Sequence, residues 1–302
     1  MGSIHAYENK GGKWYRVLYK KPDNSQGQNR GFKLKRDAQA YLDAVEVSKR
    51  QGQYVAPSDG RTTVGTLGAD WLAAHKQTVK PSTFHSDSSA WRIHVEPMWG
   101  GRAVSSLRRT EITAWAAKLS ESRSPTTVVR CLGVLSGVLH DAAEDKRIAV
   151  NPALGIKVAR KTRSPRAYLT HHQVEALAAE SKHPDLVRFL AYTGLRWGEA
   201  TGLRVGHIDR RARRAVIIEN AVSVNGRIVV GTPKMHESRS VVYPAFLSAA
   251  VEEAFAGKTP EMLLWGEGVK HLRPGNAVSG WFGGARKRAQ AKDPAFPMPD
   301  TS

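Results

Sequence analysis

Residues 191–204 read AYTGLRWGEATGLR, an apolar run interrupted by Arg196 and, three residues on, Glu199. A buried arginine is costly unless it is paired, so Arg196 must hold something. Its guanidinium is planar, stays charged, and grips two oxygens of a carboxylate or phosphate at once. Gly194 lets the backbone turn tightly just before it. A helix start there would add peptide N–H donors toward an anion. Glu199, one turn on, would orient the guanidinium through a salt bridge. Two uses fit this spacing: a grip on an anionic ligand steadied by Glu199, or a structural ion pair with no ligand. Further on, TPKMHESRSVVYP (232–244) puts Lys234 beside Pro233 on an expected hairpin tip. A lysine there is either simply solvated or a general acid that protonates a leaving oxygen. Arg239, in the strand that follows, is expected to pair with phosphate or with an acid nearby.

Other groups carry less. KMHES lacks the second histidine of a zinc helix, and no metal site is read. His171 and His172 open a helix and read as capping or surface residues. WFGGARKRAQ has no strand-to-helix phosphate loop, and its Arg286 and Arg288 read as charges for a nucleic-acid backbone. KWYRVLYKK alternates aromatic and aliphatic with basic residues. That pattern fits a nucleic-acid-binding sheet face carrying Lys13, Arg16, Lys20 and Lys21, or equally the core of a small sheet.

The elements that must position these residues fall in three segments. In 1–56, KWYRVLYKK is a strand and PDNSQGQNRG supplies turn residues. FKLKRDAQAYLDAVEVSKRQG is a helix with Ala38, Tyr41, Leu42 and Val45 on one face and a stop at Gly52. A linker rich in Pro, Ser, Asp and Gly follows at 54–63. Residues 64–157 read as a helical bundle. Its first helix turns Leu67, Trp71 and Leu72 inward, its second ends near Pro97, its third opens at Thr110, and its longest has Pro125 in the first turn. After a basic connector, 166–302 opens with a helix capped by Thr170 and continues as two helical pieces around Gly194. Three short strands follow, RAVIIENAV, GRIVVG and SRSVVYP, and then two more helices.

The chain has 302 residues, with 46 Lys plus Arg against 27 Asp plus Glu, a net charge of +19. The basic excess is spread over all three segments, as expected of several surfaces that face one polyanion. Nucleic acid is the expected partner; acidic membrane is the alternative. No apolar run approaches the length that spans a bilayer, and the first residues lack the apolar core of a secretory signal. Gly2 is in place for myristoylation, but its flanks fit poorly. The single cysteine, Cys131, allows no internal disulfide and no cysteine-rich zinc site. It reads as a small buried hydrophobe, and a reducing cytoplasm fits.

Thr193, Gly194, Leu195, Arg196, Glu199 and Leu203, with Lys234 and the serine-arginine strand after it, resemble the tyrosine recombinases of the phage integrase family. The resemblance covers essentially the whole chain. It implies a mainly α fold with small β-sheets in three domains. These are an α+β arm-type DNA-binding domain (1–56), a helical, SAM-like core-binding domain (64–157) and a mixed α/β catalytic domain (166–302). It implies that Arg196 grips a scissile phosphate, that Lys234 is the general acid, and that no metal, nucleotide or other cofactor takes part. The implied partner is double-stranded DNA with core-type and arm-type attachment sites. A homotetramer on DNA, accessory bending or directionality proteins, and action in the cytoplasm of a bacterial host are also implied.

The family also carries a histidine-x-x-arginine pair and a nucleophilic tyrosine, and the sequence departs from the family there. His271 and Arg273 stand as HLR, with the wrong spacing and ahead of the helix that should precede the pair. Tyr243 is the one tyrosine after Lys234, too early for the nucleophile, and reads as packing. The expectation is a chain truncated before these motifs, with an incomplete catalytic domain. It would bind DNA without recombining it, since no phosphotyrosyl bond forms without the tyrosine. The alternative is a non-enzymatic protein that occupies attachment sites. A metal-dependent nuclease, lacking a clustered acidic set, and a relaxase or type IB topoisomerase fit the three-part layout less well.

Overall fold

The computed structural model describes residues 2–9, 11–52, 54–56, 58–159, 168–233, 238–273 and 280–297. It is mainly helical with small antiparallel sheets, and it divides into two compact units near residue 162.

The first unit opens with three strands, β1 (Ser3–Asn9), β2 (Gly12–Lys20) and β3 (Gln26–Phe32), in the order β1-β2-β3. Helix α1 (Lys35–Arg50) packs on one face. Residues 26–31, suggested as turn by the sequence, and Phe32, read as the head of the next helix, are therefore strand. The turn is confined to 21–25, where the Lys21 and Ser25 backbones bond at 2.8 Å. Gln, Asn and Gly have little strand preference of their own, but β2 supplies a ready ladder. Period two sorts β2 cleanly. Tyr15, Val17 and Tyr19 face α1 and join Ala38, Leu42, Val45 and Tyr54 in a small core. Trp14, Arg16, Leu18 and Lys20 have the opposite parity and lie on the open face. The register pairs Arg16 with His5 on β1 and with Arg30 on β3, while Tyr15 pairs with Phe32. Gly31 is the extra residue of a bulge, with φ +97°. It lets Arg30 face outward and Phe32 return to the core.

The helices α2 (Val64–Thr78), α3 (Pro81–Ala90), α4 (Glu96–Trp99), α5 (Arg109–Ser122) and α6 (Pro125–Glu144) enclose a second core. Its centre is Trp99, Ile112, Cys131, Leu135 and Leu139, with Leu67, Trp71 and Leu72 packed against it. Ser124 caps α6 and Pro125 occupies its first turn. The second helix ends at Trp99, two residues past the expected end near Pro97. A π turn at Trp91–Val95 carries α3 into α4 as far as Trp99, and its wider ring makes room for a proline that lacks an N–H. α5 opens at Arg109, one residue ahead of Thr110, because the Glu111 carboxylate accepts the Arg108 N–H at 3.1 Å and closes the first turn. Asp87 ties three helices: it meets His75 of α2 at 2.9 Å and Arg130 of α6 at 2.6 Å.

The second unit begins with α7 (His171–Ala179), capped by Thr170 through a reciprocal bond with Gln173. α8 (Pro184–Thr193) and α9 (Trp197–Thr201) follow. β4 (Ile208–Asp209), β5 (Arg214–Ile217) and β8 (Arg239–Val242) form one sheet, ordered β4-β5-β8. β6 (Asn220–Val224) and β7 (Arg227–Gly231) form a separate hairpin turned at Asn225-Gly226. RAVIIENAV is thus two strands serving two sheets, broken at Ile218-Glu219, where Glu219 turns to pair with Arg204 at 3.0 Å. α10 (Ser248–Phe255), the short pair β9 (Gly266–Glu267) and β10 (Lys270–His271), and α11 (Trp281–Lys292) complete it. Phe189, Leu195, Ile217, Tyr243, Leu247 and Leu264 make the main core. No helix among the described residues is long and apolar enough to cross a membrane.

Candidate functional site

α8 ends where Gly194 adopts φ +66°, its N–H reaching the Leu190 carbonyl at 3.1 Å. No atom lies within 4 Å of a Cβ placed there, so backbone conformation, not space, calls for glycine. Leu195 then drops into the core and Arg196 becomes the extended N-cap of α9. An arginine has no side-chain oxygen with which to cap a helix. Glu199 supplies it: its Oε2 accepts the Arg196 N–H at 2.9 Å. The first peptide donor of this turn, expected to face an anion, is thus taken by a carboxylate of the chain itself.

The same carboxylate organises two guanidinium groups. Arg196 Nη1 donates to Glu199 Oε1 at 3.1 Å. Arg239, the first residue of β8, donates from Nη1 to Oε1 at 2.9 Å and from Nη2 to Oε2 at 2.7 Å. Glu199 is 1% exposed, whereas Arg239 is 40% and Arg196 62% exposed. Burial pushes the Glu199 carboxyl up, but the Arg239 guanidinium and then the Arg196 peptide and side chain outweigh it and hold the group below the usual carboxylate range. The Arg239 guanidinium is raised in turn by Glu199. One edge of Arg196, Nε and Nη2, has no partner among the described residues. The cluster therefore holds one carboxylate against two cations and presents an exposed guanidinium edge, a geometry suited to an anionic oxygen.

Backbone contacts fix this turn. A Cβ on Gly198 would stand 2.3 Å from Asn220 Oδ1 and 2.6 Å from the Ala221 carbonyl oxygen, so α9 sits directly on β6. Beyond α9, the Leu264 N–H meets the Leu203 carbonyl at 2.8 Å and the Val205 N–H meets Met262 at 2.9 Å. Lys258 steadies that second segment by donating to the carbonyls of Leu263, Leu264 and Gly266; burial lowers its pKa. His271 Nδ1 donates to the Thr201 carbonyl at 3.0 Å, a structural role at the end of α9.

The structure brings Gly194, Arg196, Glu199 and Arg239 together. Lys234 lies outside the described residues. Arg239, read from the sequence as a DNA contact or a locally paired residue, is spent on Glu199. Arg288 on α11 pairs with Glu180 at 3.2 Å, alongside Lys292, and Arg286 lies half-buried on the same helix. Of the four basic residues of the first strand motif, Arg16 and Lys20 share the open face. Lys13 lies over the Tyr15 ring at 6.0 Å and Lys21 belongs to the turn. Arg30, not singled out in the sequence, joins the open face; the glycine after it was the available sign. Tyr243 is 1% exposed and packs on Phe189 at 5.9 Å. Among the described residues no group of three or more His, Cys, Asp or Glu side chains could hold a metal ion.

The fold is that of the tyrosine-recombinase integrases. The chain superposes on the Tn1549 transposon integrase in complex with a circular intermediate DNA with a TM-score of 0.66, at 22% identity over 80% of this chain and 82% of that one. It superposes on lambda integrase, from a tetramer bound to a Holliday junction, with a TM-score of 0.56, at 15% identity over 98% of this chain and 85% of that one. In sequence it is similar to phage integrases: 27% identical to that of Mycobacterium phage L5 over 237 residues and 25% identical to that of Escherichia phage 186 over 247 residues. These alignments take in 74% and 76% of this chain. It spans 63% of the length of the L5 integrase and 71% of the 186 integrase. No protein-family profile matches the chain. The likeness read from the motifs, to the phage integrases and tyrosine recombinases, therefore holds in both sequence and fold.

Proposed function

We propose that these 302 residues are the DNA-binding and phosphate-gripping part of a site-specific recombinase of the integrase type. The observation that carries the reading is the exposed Arg196 edge, held by the buried Glu199 within an integrase fold. Arg196 contacts the non-bridging oxygens of a scissile phosphate, where charge builds during attack. Lys234 gives a proton to the departing 5′ oxygen as a tyrosine oxygen bonds to phosphorus. One phosphoester breaks as another forms, so the step needs neither metal nor nucleotide. On this reading residues 1–56 contact arm-type sites through the open sheet face, with Arg16, Lys20 and Arg30. Residues 64–157 embrace core-type sites, residues 166–302 form the catalytic domain, and Arg286 and Arg288 lie near the DNA backbone. Four copies assemble on DNA in the cytoplasm of a bacterial host. Accessory bending or directionality proteins rest on the family resemblance alone.

On this reading no residue of these 302 is assigned as the nucleophilic tyrosine or to the family's late histidine-x-x-arginine pair. By themselves these residues are expected to bind DNA without recombining it, and so to occupy attachment sites. Selection of bound duplexes from a random pool tests the reading. The expected result is two classes of sequence, one of them lost when Arg16 and Arg30 are changed to alanine. Recovered duplexes, nicked to trap intermediates, should give no adduct that survives denaturing electrophoresis. A single class, weakened as a whole by the sheet substitutions, would count against separate DNA-binding modules. A covalent adduct would overturn the assignment of the nucleophile.

A further inference from the structure

A lone buried carboxylate beside Arg196 would neutralise it. Glu199 is almost fully buried, and left with one cation it would draw both guanidinium donors of that cation onto its two oxygens. The observed pairing differs. Arg239 takes both carboxylate oxygens side by side, at 2.9 and 2.7 Å, and Arg196 keeps a single side-chain bond at 3.1 Å. Arg239 comes from β8, which is held through β5 in the sheet beneath the site. We infer that Arg239 is a positioning residue that neutralises Glu199, so that the charge and the free edge of Arg196 remain available to a phosphodiester. The phosphodiester itself rests on the recombinase reading above. The charge balance between Glu199, Arg196 and Arg239 does not.

The double-mutant cycle of Arg239→Met and Glu199→Gln in the whole chain, read by NMR of arginine side chains, separates the two. The Arg196 signal is assigned with Arg196→Lys, and thermal melts establish that each variant is folded. In the chain without ligand, Arg239→Met should shift the Arg196 Nε–H resonance and slow rotation about its Nε–Cζ bond, as Arg196 closes onto Glu199. Adding Glu199→Gln should reverse both changes. With the dinucleotide TpT, which carries one phosphodiester, the wild-type Arg196 signal should titrate. The apparent Kd should weaken at least about fivefold in Arg239→Met and recover in Arg239→Met/Glu199→Gln. Arg239→Lys keeps the charge without the planar fork and should fall between wild type and Arg239→Met. If Arg239→Met is unfolded, Arg239→Lys carries the comparison, and a wild-type signal in it overturns the inference. An Arg196 signal unchanged by Arg239→Met, or a double variant no better than the single, also overturns it. Ligand-free changes as expected, with no TpT response in wild type, would uphold the charge balance and remove the phosphate reading.

Discussion

Arg239 holds both oxygens of Glu199 through its two terminal nitrogens, across 40 residues of sequence. The bond joins the start of one strand to the first turn of a five-residue helix. It makes Glu199 the structural centre of the site and leaves Arg196 as its exposed member.

The acid limb of stability should report this centre. Glu199 titrates below its ordinary value in the folded chain. Its contribution is therefore fully present above the unfolded value, about 4.3, and is lost as pH falls through the lower folded one. Glu199→Gln should flatten that part of the profile in denaturant melts between pH 7 and 3. At neutral pH it should cost about 2 kcal/mol, less than a fully buried pair would lose, because the two arginines left behind reach water.

Gly198 should tolerate no side chain. Gly198→Ala puts a methyl against a backbone carbonyl, and moving α9 off β6 should cost about 2–3 kcal/mol. Gly194→Ala meets no atom and should cost about 1 kcal/mol, from its left-handed backbone alone. Chemical denaturation of the two variants side by side gives the comparison; equal losses would contradict the close seating of α9.

On the open sheet face, Arg16→Ala and Arg30→Ala should each weaken duplex binding and lower the salt dependence of log K by about 0.9. Neither should alter the melting of the chain. Val17→Ala, one residue along β2 from Arg16, should do the reverse: it destabilises the small core and leaves the salt slope unchanged. Fluorescence anisotropy at several salt concentrations measures both effects.

Cys131 is fully buried, and burial pushes its thiol up to about 11. A thiol reagent should leave it unmodified in the folded chain and react at once in denaturant. Rapid labelling at pH 8 without denaturant would contradict the packing of α6.

Much of the helical architecture is legible in the sequence because its signals are local. Pro125, Thr170 and Gly194 each mark a helix end by the chemistry of that end. β3 was not legible: its Gln, Asn and Gly residues are strand only because β2 presents a ladder. Pro97 marked the helix end to within two residues, but the π turn before it was not legible. At the site, Arg196 and Glu199 were legible as a pair at helical spacing. The second partner of Glu199 was not, since nothing local to Arg239 indicates which acid a strand will meet after the sheet closes.

Gly31 acts as a phase shift in β3. With a strict two-residue alternation, Arg30 and Phe32 would project to the same side. The inserted residue separates them, sending one to the open face and the other against α1. Without Gly31 the two would be neighbours on an unbulged strand and would still alternate between the faces, opposite Arg16 and Tyr15. The strand should therefore tolerate loss of Gly31 itself better than loss or gain of a residue elsewhere along it, which would turn paired side chains to the wrong face.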